Sequence, residues 1–70
     1  MADKMTLDIA QALKNARFDK RMTQQQVAKK AGIHEKYYAK LEQAVSTPSL
    51  KMLKKVVSAL GVHSSDVLPF

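Results

Sequence analysis

Apolar residues recur along this chain at helical rather than strand spacing. Ile9, Leu13 and Ala16, with Phe18 near the end, mark a first helix over Met5–Lys20. Thr6 stands in the position of its N-cap, and Asp8 places negative charge in the first turn, where the helix dipole favours it. Thr23 and Gln26 have capping-box spacing, with Met22 and Val27 at the positions of a hydrophobic staple. That second helix runs through Val27, Ala28 and Ala31 and stops at Gly32. A third begins after Ile33, with His34 at the cap, Tyr38 and Leu41 facing inward, and Ile33 and Tyr38 again at staple spacing. Thr47-Pro48 reads as a start signal with proline in the first helical position. Leu50, Leu53, Val57 and Leu60 then form a long apolar stripe closed by Gly61 at the C-cap. A last short turn is expected around Ser64–Leu68. No alternating pattern, repeat, linker or low-complexity tract breaks this series. The expected fold is all-α, a compact five-helix domain spanning residues 1–70.

Gly32 is the informative interruption. A glycine inside one continuous helix costs roughly 1 kcal/mol relative to alanine. Between two helices it instead supplies the positive φ of a tight turn, and Ala28 is small enough for those helices to cross closely. With Tyr38 and Leu41 turned inward, Glu35, Lys36, Ala39 and Lys40 fall on the outer side of the third helix, and Tyr37 at its edge.

Composition narrows the partners. Twelve Lys+Arg against six Asp+Glu give a net charge of +6 and a pI near 9.9, a balance that favours polyanions. Seventy residues allow a single domain with a modest core. The absence of cysteine removes disulfides and thiolate metal sites. His34 and His63 have no second ligand at metal spacing, so neither metal nor cofactor is expected. Apolar runs are a few residues long and nothing resembles a cleaved signal, which points to the cytoplasm rather than a membrane. There is no glycine-rich phosphate loop and no histidine–carboxylate–nucleophile set. No catalytic residue, and no enzyme, is expected.

One set of residues carries a family likeness. Leu13, Arg17, Met22-Thr23-Gln24, Val27-Ala28, Gly32-Ile33, Tyr38, Leu41-Glu42, Pro48, Leu50, Leu53, Ala59-Leu60-Gly61 and Asp66-Val67-Leu68 together resemble the Cro/C1 repressor (XRE) family. The likeness covers nearly the whole chain. It implies a lambda-repressor-like DNA-binding domain whose second and third helices form the helix-turn-helix, the third entering the B-DNA major groove where base edges differ. By position, it implies that Gln24 contacts a phosphate and braces the reading helix. Backbone N–H groups at that helix start, by Thr23, would bind the same phosphate. Glu35, Lys36 and Lys40 fall where family members contact bases, and His34 and Tyr37 where they contact backbone or flanking bases. Ser46 and Thr47 match a second phosphate-binding segment. Lysine donates to guanine O6 and N7 and a carboxylate accepts from cytosine N4, so Glu35 beside Lys36 hints at a G·C-containing half-site. Arg17 and Glu42 match a salt bridge joining the first and third helices.

Two positions depart from that pattern. Where relatives usually place glycine, this chain has Arg21 and Ala44. Either each keeps left-handed geometry at a cost of about 1 kcal/mol, or the loops differ and the phosphate-binding segments shift. Plainer readings also stand beside the functional ones. Lys29-Lys30 and Lys54-Lys55 suit solvated helix faces. Tyr38 suits the core with its hydroxyl reaching a surface partner, Tyr37 divides between packing on Leu41 and touching DNA, and Arg17 with Glu42 could be an ordinary surface pair.

Two functions remain from different classes. The first is a homodimeric transcriptional regulator of double-stranded DNA, acting on a palindromic operator and pairing through Val62, Val67, Leu68, Pro69 and Phe70. The second is an antitoxin-like module on the same fold whose duty is to neutralise a protein partner. Such antitoxins usually carry an added segment, and this chain ends at Phe70. The residues fit a stand-alone regulator and also the DNA-binding part of a longer one.

Overall fold

A computed structural model of the chain describes residues 3–63. Its regular structure is helical throughout: α1 (Lys4–Asp19), α2 (Gln24–Ala31), α3 (Glu35–Glu42) and α4 (Leu50–Leu60). The described residues thus hold four helices, not five, because the turn expected around Ser64–Leu68 lies outside them. No helix among them is long and apolar enough to cross a membrane.

Every helix begins on a side-chain cap. Thr23 and Gln26 form the reciprocal capping box, Gln26 N donating to Thr23 Oγ1 at 3.1 Å and Thr23 N to Gln26 Oε1 at 2.8 Å. His34 caps α3 through Nδ1, which accepts from Lys36 N at 3.1 Å. At two starts the cap differs from the sequence expectation. Asp3, not Thr6, caps α1, accepting from Thr6 N at 2.8 Å. A carboxylate satisfies that donor and also suits the positive end of the dipole, while Thr6 is buried one turn inside. Ser49, not Thr47, caps α4, accepting from Met52 N at 3.1 Å. Pro48 disfavours helical geometry at Thr47 and sits just before the cap rather than in the first turn. Leu50 becomes the first helical residue and is 54% exposed, so it leaves the stripe. Leu53, Val56, Val57, Ala59 and Leu60 compose the buried face.

All four described helices also end alike. In each, the chain turns through a left-handed residue whose N–H and its successor's N–H fold back onto the last carbonyls. Gly32 and Gly61 supply φ of 73° and 72°. Arg21 and Ala44 supply 54° and 59° without being glycine. Met22 N donates to Arg17 O at 3.1 Å and Val45 N to Lys40 O at 3.0 Å, so the turn is kept in full at both substituted positions.

These reversals pack α2 against α4 and α3, and α1 against α3 and α4. Leu13, Val27, Tyr38 and Val56, one from each helix, are completely buried at the centre. Ala28 is 2% exposed at the α2 crossing, and Met22, Ile33 and Tyr37 pack on the margin of the core. Phe18 does not join it and is 58% exposed. Five residues beyond Leu13, it points about 140° away around the helix.

A non-glycine residue in left-handed geometry costs roughly 1–2 kcal/mol, partly offset because glycine has more unfolded-state freedom to lose. Ala44→Gly is therefore expected to stabilise the protein by about 1 kcal/mol. A urea titration would show it as a higher midpoint at unchanged slope. A lower midpoint would mean that the turn after α3 carries no strain.

Candidate nucleic-acid interface

α3 divides sharply into two faces. Tyr38, Leu41 and Glu42 are buried against α1 and α2. Glu35, Lys36 and Lys40 are exposed, as is the capping His34, and Tyr37 is half-buried at the edge. Eight residues make too short a helix to persist alone, so this face exists only because the opposite one is held.

What holds it is an arginine from α1. Arg17 Nε donates to Glu42 Oε2 at 2.6 Å and a terminal nitrogen to Oε1 at 3.0 Å, a two-toothed fork. Its other terminal nitrogen donates to the Met22 carbonyl at 3.0 Å, so one guanidinium ties α1, the α1–α2 turn and α3 together. The Phe18 ring covers its face, with 4.5 Å from the guanidinium carbon to the ring centroid. Gln24, the first residue of α2, donates from Nε2 to Glu42 Oε1 at 3.1 Å. The start of α2 is thereby fixed to the end of α3.

The electrostatics follow from this arrangement. Burial opposes the Glu42 charge, but the donors of Arg17 above all, with the nearby Tyr38 hydroxyl and the Gln24 amide, outweigh it and hold the carboxyl below the ordinary glutamate range. The same fork raises the Arg17 pKa. The Tyr38 hydroxyl does not reach the surface partner expected of it. It is fully buried beside this pair without a well-formed hydrogen bond, and burial, then the Glu42 charge, pushes its pKa up.

The remaining site residues fall into two groups. Thr23, Gln24 and Glu35 line one groove of about 480 Å³ together with Phe18 and Gln25. Ser46, half-buried, and Thr47, exposed, stand apart in the loop between α3 and α4, beyond the left-handed Ala44. Gln24 braces α3 as the family likeness implied, through Glu42, whereas sequence reasoning missed two parts: the stacking of Phe18 on Arg17 and the Met22 carbonyl as an acceptor. Only the first left a trace in the sequence, since Phe18 is off the Leu13 stripe and adjacent to Arg17.

Removing one partner of a buried pair leaves the other charge without compensation, a loss of about 3–5 kcal/mol against roughly 0–1 for an exposed pair. Glu42→Ala and Arg17→Ala are each expected to lose more than an exposed pair would. Because the folded state lowers the Glu42 pKa, its ionisation stabilises the fold above the ordinary glutamate range. That contribution fades as pH falls through and below that range. The stability gap between the protein and Glu42→Gln, measured by urea denaturation from neutral to acid pH, should narrow on the acid side. A constant gap would show that ionisation of Glu42 does not support the fold.

Comparison with known proteins agrees with this geometry. The helix-turn-helix family model matches residues 13–67. The immunity repressor protein of Bacillus phage phi105 is 34% identical over 62 residues, covering 89% of this chain and 43% of the repressor. The chain thus spans less than half the length of that relative. The clp gene regulator ClgR from C. glutamicum superposes with a TM-score of 0.88 at 28% identity, over 93% of this chain and 84% of that one. The restriction–modification controller protein C.Esp1396I, solved as a tetramer with its natural 35 base-pair operator, superposes with a TM-score of 0.87 at 22% identity, over 90% of this chain and 83% of that one. The chain belongs to the Cro/C1-type helix-turn-helix family of DNA-binding regulators.

Proposed function

We propose that this protein regulates transcription as a homodimer that places two copies of α3 in successive major grooves of an inverted-repeat operator. The observation that carries the reading is α3 itself. Its exposed face bears Glu35, Lys36 and Lys40 while the opposite face is locked by the Arg17–Glu42 fork. A rigid helix presenting unpaired polar side chains suits the reading of base edges. In this proposal Lys36 and Glu35 contact bases and Lys40 a base or a phosphate. Thr23, Gln24, Ser46 and Thr47 contact phosphates, and His34 and Tyr37 contact backbone or flanking bases. The Gln24 Nε2 already donates to Glu42, and its second hydrogen is the one for a phosphate oxygen. The protein works in the cytoplasm, with its DNA.

Size supports pairing. Half-sites one helical turn apart place the reading helices about 34 Å from each other, and the described residues span only 27 × 24 × 21 Å. Two protomers are needed to reach both. We assign the contact to Val62 and to Val67, Leu68, Pro69 and Phe70, the last four lying outside the described residues. The C.Esp1396I tetramer on its operator supports assembly on DNA within this fold.

Selection of bound sequences from random duplexes at a fixed salt concentration should return an inverted repeat. Sedimentation should show a dimer; a monomer at high concentration that binds only single half-sites would overturn the assembly. On the selected duplex, Lys36→Ala should lose about 1–3 kcal/mol and relax the preference at one or two positions of each half-site. Gln24→Ala should weaken all duplexes alike. Equal losses for Lys36→Ala on selected and unrelated duplexes across a salt series would make Lys36 a backbone contact.

A further inference from the structure

A second basic feature lies away from the α3 face. The α1–α2 turn, the outer side of α2 and the end of α4 enclose an open cleft of about 840 Å³, within the range of ligand-binding pockets. Lys20, Arg21, Lys29 and Lys30 stand around it, and all four are exposed. Half-buried Met22 forms the accessible part of its apolar floor, over the buried Ala59 and Leu60. No Asp or Glu among the described residues lines it. Arg21 reaches this rim from a left-handed backbone, φ 54°, where glycine would sit without strain. Positions held against such strain tend to mark functional sites.

We infer that this cleft is a docking site for an acidic segment of another protein that carries an apolar side chain at its tip. Charge complementarity selects the acidity: four cations crowd one rim that no Asp or Glu among the described residues lines, and each is more favourable beside a carboxylate. The floor selects the apolar tip, because a phosphate backbone would leave the half-buried Met22 side chain unused. Position argues in the same direction. None of Gln24, Glu35, Lys36 and Lys40 lines the cleft. Lys30 lies six residues along α2 from Gln24, about 9 Å towards its far end. A regulator whose α3 occupies DNA would keep this surface open to a protein partner.

Three fluorescein-labelled peptides test the inference by anisotropy with the full chain: alternating glutamate–leucine, glutamine–leucine and glutamate–serine. The glutamate–leucine peptide should bind at least about tenfold more tightly than either of the others, since each lacks one half of the recognition. Lys29→Gln combined with Lys30→Gln should cost about tenfold in peptide affinity while leaving the unfolding midpoint and binding to the selected duplex unchanged. Lys51→Gln combined with Lys54→Gln, which removes equal charge from α4 outside the cleft, should bind as the unaltered chain does. Equal binding of the glutamate–serine peptide, or equal loss in the two double variants, would reduce the effect to net charge and overturn the site. Displacement of the peptide by non-specific duplex, with parallel loss of duplex affinity in the Lys29/Lys30 variant, would make the cleft a nucleic-acid surface and overturn it as well. The peptide readout does not depend on operator recognition, so failure of one leaves the other standing.

Discussion

The Arg17 guanidinium is the point through which three segments of this molecule are joined. It lies between the Phe18 ring on its face and the Glu42 carboxylate on its edge, and it also reaches the Met22 carbonyl. Without it α3 would be an eight-residue helix held by its apolar contacts and the single Gln24 bond to Glu42, with more freedom to rotate about an apolar seam. Hydrophobic contacts set how closely helices approach but tolerate rotation and sliding. A planar fork on a carboxylate does not, because its two bonds are satisfied in one orientation. Burial makes the constraint stringent, since an ion pair sheltered from water loses much when its geometry slips.

The second constraint is the way the helices end. Four left-handed turns stop four described helices and redirect the chain, two on glycine and two on Arg21 and Ala44. Keeping the turn at the non-glycine positions shows that its hydrogen bonds and the packing beyond them outweigh about 1 kcal/mol of backbone strain at each. The geometry matters because the loops after α1 and α3 carry Thr23 and Ser46–Thr47. A looser turn would move both groups relative to the α3 surface. At Arg21 the same turn lifts a cation to the rim of the cleft against α2 and α4.

Charge is consequently divided between two surfaces. Lys36 and Lys40 belong to the exposed side of α3, which Glu35 partly counters. Lys20, Arg21, Lys29 and Lys30 belong to the cleft, which no described acid lines. Much of the excess of +6 is therefore not a diffuse coat for attracting polyanions. Six of the twelve cations stand on two faces of different texture, one a polar helix side and one a cleft with an apolar floor.

Residue spacing alone marked out α2 and α3, the capping box of Thr23 and Gln26, the His34 cap, the Gly32 and Gly61 ends and the buried faces of Tyr38 and Leu41. Those features are local: a cap or a left-handed end is decided by residues within one turn, and amphipathic spacing states which face must leave water. Exchanges between nearby competitors were not legible. Asp3 against Thr6, and Ser49 against Thr47, are pairs in which either residue can cap, and the choice depends on which register lets the helix bury its stripe. Non-local contacts were also beyond residue spacing. Family likeness proposed that Arg17 meets Glu42 across 25 positions, but the fork, its Phe18 cover, the Gln24 bond and the buried Tyr38 hydroxyl arise from where α1, α2 and α3 cross. The cleft is the clearest case. Lys29-Lys30 reads in sequence as a solvated helix face, and it gains an apolar floor only because the end of α4 packs beside the turn that carries Arg21 and Met22.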